Sequence, residues 1–283
     1  MKSYPFRIVN VFAEERLGGN PLAVFEDGRG LDEAAMQALA LQFNLSETTF
    51  ILPSEAATAR VRIFTPTFEM PFAGHPTLGT AHVVRALQGG DAITLEMRAG
   101  LIPVRAAADR WTLQANAPRT RAVAASRDEL AAMLGLEPAD VGANPLWVDT
   151  GSEQLIVPVT SAPAVHRARP TAELLSRHAT VALAGAASRS LAYIWTEVAP
   201  DAAVARFFFL KQAAVVEDPG TGSACANLGG WLIATGAALP REISIAQGDA
   251  LGRPCRLGLT VDAGRRIFVS GRVIELGRGA VEL

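Results

Sequence analysis

Three short stretches of this 283-residue chain carry side chains suited to chemistry. In Asn44-Leu45-Ser46-Glu47-Thr48-Thr49-Phe50 a glutamate stands where a helix gives way to a strand, a kind of junction that presents side chains to clefts. Partial burial beside Leu45 and Phe50 would raise its pKa and make Glu47 a general acid or base; left in water it is an ordinary solvated carboxylate. In Pro71-Phe72-Ala73-Gly74-His75-Pro76-Thr77 the proline at 76 suits the first turn of a helix. Gly74 and His75 then lie at the helix N-terminus, where backbone N–H groups attract an anion such as a substrate carboxylate. His75 adds a hydrogen bond or moves a proton there, or it merely caps the helix. The third stretch, Glu217-Asp218-Pro219-Gly220-Thr221-Gly222-Ser223-Ala224, has no lysine after its glycines and no third glycine, so it is neither a P-loop nor a dinucleotide fingerprint. It fits a second anion-binding helix N-terminus better. Gly222 would offer backbone, Ser223 a hydroxyl donor, and Asp218 an acceptor or a partner for a substrate ammonium; the plain alternative is a turn and a cap. Two such helix ends facing one cleft would bind a small carboxylate, with Glu47 and Asp218 as the acid–base groups. Asn20-Pro21 reads as a turn near that cleft, which makes Asn20 a candidate substrate contact.

The segments that must hold these residues read as many short strands and few helices. Strand patterns rich in Val, Ile, Phe and Thr cover Tyr4–Phe12, Leu22–Phe25, Thr48–Leu52, Arg60–Phe64, Ala92–Met97, Trp111–Gln114, Leu155–Val159, Leu191–Thr196, Ala205–Leu210, Arg256–Val261 and Arg265–Ile274. Leu31–Phe43 has helical apolar spacing, Ser126-Arg127-Asp128-Glu129 is a capping box, and Thr171–His178 is a further helix candidate. Two helical stretches differ: His75–Leu87 and Ser223–Thr235 are small or apolar nearly all round, with Arg85 their only full charge. A helix without a polar face is buried on every side, and Gly79, Gly229 and Gly230 would let strands approach it closely. Gly74 and Gly222, which open these stretches, are about half the chain apart. That spacing suggests a unit occurring twice, in which a curved sheet wraps one central helix. The polar stretch 110–126 is the candidate junction.

Composition sets the outer limits. Apolar residues make up 49% and charged residues 19%, enough to bury a sizeable core. A net charge of −2 argues against general affinity for nucleic acid or an anionic membrane. The charge-free stretch 219–240 is too rich in glycine, proline and polar residues for a spanning helix. Two cysteines, Cys225 and Cys255, make neither a disulfide framework nor a zinc motif, so no metal site is expected. The N-terminal residues lack the pattern of a signal peptide, which gives a cytoplasmic expectation. His82 reads as a core residue, His166 and His178 as surface residues, and Phe207–Phe209 as a buried strand.

The stretches GGNPLAVF (Gly18–Phe25), NLSETTFI (Asn44–Ile51), RIFTPTFEMPFAGHPTLGTAHV (Arg62–Val83), ARFFF (Ala205–Phe209), EDPGTGSACANLGGWL (Glu217–Leu232), QGDALGRP (Gln247–Pro254) and SGRVIELGRG (Ser270–Gly279) together resemble the PhzF-like phenazine-biosynthesis family of the diaminopimelate epimerase-like fold. The resemblance implies an α+β protein of two similar domains, each a barrel-like mixed sheet around a central helix, with the active site between them. The expected extents are 1–117 and 118–271, with 272–283 returning to the first domain. It also implies that Glu47 is the acid–base glutamate, that His75, Asp218 and Ser223 are the other polar active-site residues, and that Gly74 and Gly222 are backbone anion-binding positions. The activity it implies is a cofactor-independent isomerisation of a small amino or hydroxy carboxylate, in which one carboxyl group takes a proton from a carbon and returns it to another. A homodimer is implied as well. Epimerases of this fold use two thiols; their positions fall here on Ala73 and Pro219, which cannot accept a proton. An amino-acid racemase with altered bases, or a binding protein that has kept the cleft, are the competing readings.

Overall fold

The computed structural model describes residues 1–182 and 188–283. The chain forms two compact units, one of residues 1–114 and 270–283, the other of residues 115–269.

The first unit contains strands β1 (Ser3–Val11), β2 (Asn20–Phe25), β3 (Glu47–Leu52), β4 (Ala59–Phe64), β5 (Glu69–Met70), β6 (Ala92–Met97), β7 (Gly100–Ala107) and β8 (Arg110–Gln114), and helices α1 (Glu33–Phe43) and α2 (Gly74–Gln88). The second contains β9 (Arg119–Ala122), β10 (Leu146–Asp149), β11 (Glu153–Pro158), β12 (Thr180–Ala182), β13 (Ser188–Ala199), β14 (Ala202–Lys211), β15 (Ala214–Asp218), β16 (Arg241–Gln247) and β17 (Cys255–Val261), with α3 (Arg127–Leu134), α4 (Ala162–Arg167), α5 (Ala172–His178) and α6 (Gly222–Ala234). The last strand, β18 (Ile267–Glu282), begins in the second unit and runs into the first.

In the first unit the ladder β1–β2–β3–β4–β6–β7–β8–β18 closes on itself through β18–β1, an eight-stranded barrel of mixed direction. Closure leaves none of these strands with an unpaired edge. Two pairings are parallel, β2 with β3 and β4 with β6. The crossover from β2 to β3 carries α1, and the crossover from β4 to β6 carries β5 and then α2. The second unit repeats this order. Its strands pair as β9–β10–β11–β13–β14–β16–β17. Again two pairings are parallel, β11 with β13 and β14 with β16; the first crossover carries α4 and α5, the second β15 and then α6. The duplication suggested by two all-round apolar helices is thus written in the topology of each half.

Burial explains why α2 and α6 lack a polar face. Nine residues of α2, His75 to Val84, are buried, as are nine of α6 from Gly222 to Leu232. The helical glycines allow close approach. A Cβ on Gly79 would lie 2.6 Å from Leu22 Cδ2, and one on Gly230 would lie 2.7 Å from both Pro118 Cβ and Val148 Cγ1. Helix propensity alone favours Gly230→Ala by about 1 kcal/mol. Overpacking against a proline ring costs about 1–3 kcal/mol, so the variant is expected to be less stable by up to about 2 kcal/mol, read as a lower urea midpoint.

The polar stretch 110–126 is not a free linker. It carries β8, hydrogen-bonded to β7, and β9, hydrogen-bonded to β10. Its polarity reflects outward faces: Trp111 and Leu113 are buried while the flanking Arg110 and Gln114 are exposed. The capping box at Ser126 forms as read, with Glu129 returning a carboxylate oxygen to the Ser126 N–H at 2.7 Å.

Candidate active site

Glu47 owes its position to a helix stop. Helix α1 ends at Phe43, and Asn44 takes the left-handed conformation with φ 51°, donating its N–H to the Ala40 carbonyl. The chain then turns into β3, whose first residue is Glu47. Parallel pairing with β2 sets Leu22 opposite Glu47, so Asn20 and Glu47 both stand at the N-terminal ends of adjacent strands. Thr49 on β3 and Thr80 on α2 share a buried hydrogen bond of 2.8 Å, which ties the glutamate's strand to the helix that bears His75.

His75 is the second residue of α2, and its Nε2 lies 3.5 Å from Glu47 Oε2. The Glu47 side chain keeps 15% of its exposure and that of His75 7%, so both are largely withdrawn from water while the carboxyl stays reachable. Asn20 Nδ2 lies 3.5 Å from the other ring nitrogen, Nδ1. Burial pushes His75 down to about 3, against a raising hydrogen bond with the Pro21 backbone. Opposite-charge geometry would suggest an ion pair, but the imidazole is neutral at physiological pH. We therefore read the contact as a neutral ring beside a carboxyl group rather than as an ion pair.

This lowering has a measurable consequence. The unfolded His75 binds a proton below about 6.5, while the folded one resists protonation until about 3. The unfolded state therefore holds more protons between these values, and the contribution to stability is complete above about 6.5 and lost as pH falls towards 3. Wild type should lose stability faster than His75→Gln across that window, by a few kcal/mol in total, roughly, read from urea midpoints at stepped pH.

Ala73, the N-cap of α2, has extended backbone and no side-chain capping bond. Thr221, the N-cap of α6, does not cap its helix either, because its hydroxyl is engaged elsewhere. Gln247 Nε2 donates to the Asp218 carbonyl at 2.9 Å and to Thr221 Oγ1 at 3.0 Å, and its Oε1 accepts the Thr221 N–H at 3.3 Å. An amide NH2 cannot accept, so Thr221 Oγ1 receives from Gln247 and directs its own proton to Asp218 Oδ2. Asp218 is thereby held as a hydrogen-bond acceptor at the end of β15. Gly248, in the left-handed region at φ 82°, lets its loop pass under the Asp218–Gly220 turn; a Cβ there would collide with the carbonyl oxygens of Pro219 and Arg253. Ser223, one residue into α6 from Gly222, accepts a hydrogen bond of 2.8 Å from Gln154 Nε2.

Each unit therefore gathers part of the candidate set read from the sequence: Asn20, Glu47, Gly74 and His75 in the first, Asp218, Gly222 and Ser223 in the second. Sequence reading did not single out Gln154, Asn227, Thr221 or Gln247. Asn227 did carry a signal, as a carboxamide inside an otherwise apolar helix, which must find internal partners. Cys225 and Cys255 are buried, and burial raises both thiols well above the usual range. His82 is half-buried rather than a core residue; it packs edge-on against Trp111, with ring centroids 6.1 Å apart, and its Nδ1 makes no hydrogen bond. Among the described residues no three His, Cys, Asp or Glu side chains gather as a metal site, and no helix is long and apolar enough to cross a membrane.

The model of one protein family, described as phenazine biosynthesis-like protein, matches residues 9–279. The chain belongs to the PhzC/PhzF family. An uncharacterized isomerase of Pasteurella multocida is 40% identical to it, over 98% of this chain and 93% of that one. The trans-2,3-dihydro-3-hydroxyanthranilate isomerase of Pseudomonas chlororaphis is 33% identical, over 98% of each chain. Among solved structures, the PhzF family protein of Bacillus anthracis superposes with a TM-score of 0.86 at 25% identity, covering both chains in full. Both of these relatives are named isomerases, and this PhzC/PhzF chain is an isomerase of the family.

Proposed function

We propose that the protein moves a proton between two carbons of a small amino or hydroxy carboxylate, cyclic or open, with Glu47 as the single acid–base group. One C–H bond breaks as the Glu47 carboxylate takes the proton, the double bond shifts, and the same proton is delivered to a different carbon. The observation that carries this reading is the Glu47–His75 contact: a mostly buried carboxyl group 3.5 Å from an imidazole that burial keeps uncharged. A neutral neighbour leaves the carboxylate basic, where a charged one would hold it ionised and weaken it as a base. Shielding from water favours return of the captured proton over its loss. No metal or organic cofactor enters the scheme.

In the second unit, Asp218 and Ser223 with the first turn of α6 offer an acceptor, a hydroxyl and backbone donors, a set suited to a substrate's ammonium or hydroxyl and its carboxylate. Cys225 and Cys255 give no support to a two-thiol racemisation, since buried thiols of raised pKa are poor proton acceptors. The protein is further proposed to act as a homodimer, checked by sedimentation equilibrium.

The experiment is isotopic. The protein is incubated in deuterated water with trans-2,3-dihydro-3-hydroxyanthranilate, the compound named for the Pseudomonas relative, and with a panel of amino and hydroxy carboxylates. The proposal expects an isomer to form that retains captured hydrogen at the carbon that gained the proton, with solvent deuterium entering only as far as the Glu47 carboxyl exchanges before delivery. A racemised product with deuterium at its original carbon would point to an epimerase. Binding with neither isomer nor exchange across the panel would point to a non-catalytic binder.

A further inference from the structure

The second unit contains a chain of side chains whose hydrogen-bond directions are fixed from one end. The Thr150 backbone N–H, which can only donate, lies 2.9 Å from Asn227 Oδ1, and the Thr150 hydroxyl reaches the same oxygen at 2.7 Å. At the other end of that amide, Asn227 Nδ2 lies 2.8 Å from the Ser152 carbonyl, which can only accept. Two backbone groups therefore dictate which end of the Asn227 amide is oxygen and which is nitrogen. The same Nδ2 lies 2.8 Å from Gln154 Oε1. Since Nδ2 cannot accept, Gln154 must turn its oxygen to Asn227 and its NH2 to Ser223, 2.8 Å away. An NH2 has no lone pair to offer, so Ser223 Oγ receives this bond and its own hydrogen cannot point at Gln154. Asn227 is fully buried, Gln154 keeps 3% of its exposure and Thr150 7%; α6 and β11 hold the relay at both ends.

We propose that Gln154 and Asn227 are positioning residues that turn the Ser223 hydroxyl proton away from Gln154 and towards bound substrate. Ser223 would otherwise be free to donate or accept. The relay occupies one of the two Ser223 lone pairs and turns the proton away from Gln154, which biases the hydroxyl towards donating to a carboxylate or carbonyl oxygen. The need for such a device is chemical. Discrimination between oxygen and nitrogen groups on a small substrate depends on donors and acceptors that cannot reverse. The inference rests on the proposed function in one respect, that Ser223 meets substrate; the direction of the proton does not depend on it.

The informative substitution is Gln154→Glu. It keeps shape, still accepts from Asn227, and now presents an acceptor to Ser223, so the serine proton turns inward and its lone pairs face outward. Neutron diffraction on crystals grown in deuterated water decides the direction without any substrate. In the wild type the Ser223 deuteron should lie away from Gln154, and in Gln154→Glu it should lie on the line between residues 154 and 223. A wild-type deuteron on that line overturns the proposal. The functional arm measures kcat and KM with trans-2,3-dihydro-3-hydroxyanthranilate in a double-mutant cycle. Gln154→Glu and Ser223→Ala should each raise KM about tenfold, and the pair together no more than one alone, because both remove the same bond. An unchanged Gln154→Glu penalty in the Ser223→Ala background would mean that the new charge, not the serine proton, is responsible, and would overturn the proposal. Absence of wild-type turnover in this assay counts against the proposed function; the neutron result then still decides the positioning claim.

Discussion

Glu47→Gln should lower turnover by about 10³-fold while substrate still binds, because a positioned general acid–base group contributes 10²–10⁴-fold and a carboxamide cannot take its place. The substitution changes one oxygen for an NH2 and leaves the strand register of β3 on β2 untouched. It therefore separates chemistry from placement. Binding, followed by calorimetry or by protection of the thermal transition, should weaken by less than tenfold, and incorporation of solvent deuterium should vanish together with turnover. Glu47→Asp makes the complementary test. It keeps the acid but draws it back by one methylene, roughly 1 Å, and a misplacement of that size can cost about 10²-fold. The ordering wild type, then Asp, then Gln is what a proton carrier requires. If Glu47→Gln retained exchange at the wild-type rate, the base would be another group and the role of the His75 contact would need a different account.

His75 should behave differently in the same assay. Its ring is neutral and faces Glu47 without serving as the proton store, so His75→Gln should act through the position and basicity of the glutamate. A loss smaller than that of Glu47→Gln is the expected sign of such an auxiliary group.

Parts of this site were legible because local chemistry dictates them. Asn44 stops α1 in a conformation few residues adopt, and that fixes where β3 starts and hence where Glu47 sits. Helices α2 and α6 could be recognised from what they lack: without a polar face a helix must be enclosed, and an enclosing sheet of short strands around each follows. The second-unit polar network could not be read this way. Gln154 and Asn227 meet across 73 positions, and Thr221 and Gln247 across 26, so their pairing depends on strand register and on packing against α6. Some strands carry little local pattern, for related reasons. In β7 Pro103 lacks a ladder donor, in β9 every residue is exposed, and β15 has only five residues, resting on β14. Strand β16 does carry a legible alternating pattern, with Ile243 and Ile245 buried and Glu242 and Ser244 outside.

The short strand β15 leads to the second large expected effect, since Asp218 is its last residue and the turn into α6 hangs from it. Besides the five-residue ladder, Arg206 ties β15 to β14. The guanidinium makes a two-bond fork to Glu217, Nε to Oε1 at 3.0 Å and Nη2 to Oε2 at 2.7 Å. Its remaining nitrogen donates to the carbonyls of Val165, His166 and Ala168, at 3.2, 3.2 and 2.9 Å, where α4 ends. The charge also stands 4.6 Å over the ring of Phe208. Both ionic side chains are over nine-tenths buried, 7% and 8% exposed. Arg206→Met fills similar space but leaves the Glu217 carboxylate buried with no cation and three carbonyls without this donor. Breaking a buried pair from one side costs about 3–5 kcal/mol, since the stranded charge keeps its desolvation penalty. For a unit of this size that is roughly a 10 °C fall in Tm. Arg206→Met with Glu217→Leu removes both charges at once and should recover a large part of the loss, whereas Glu217→Gln alone should not, because the arginine then remains buried without its counter-charge. Activity separates the two roles of the pair: if it holds Asp218 in place as well as the fold, the double variant regains Tm but not full turnover, and a double variant that regained both would show that the β14–β15 ladder holds Asp218 without help.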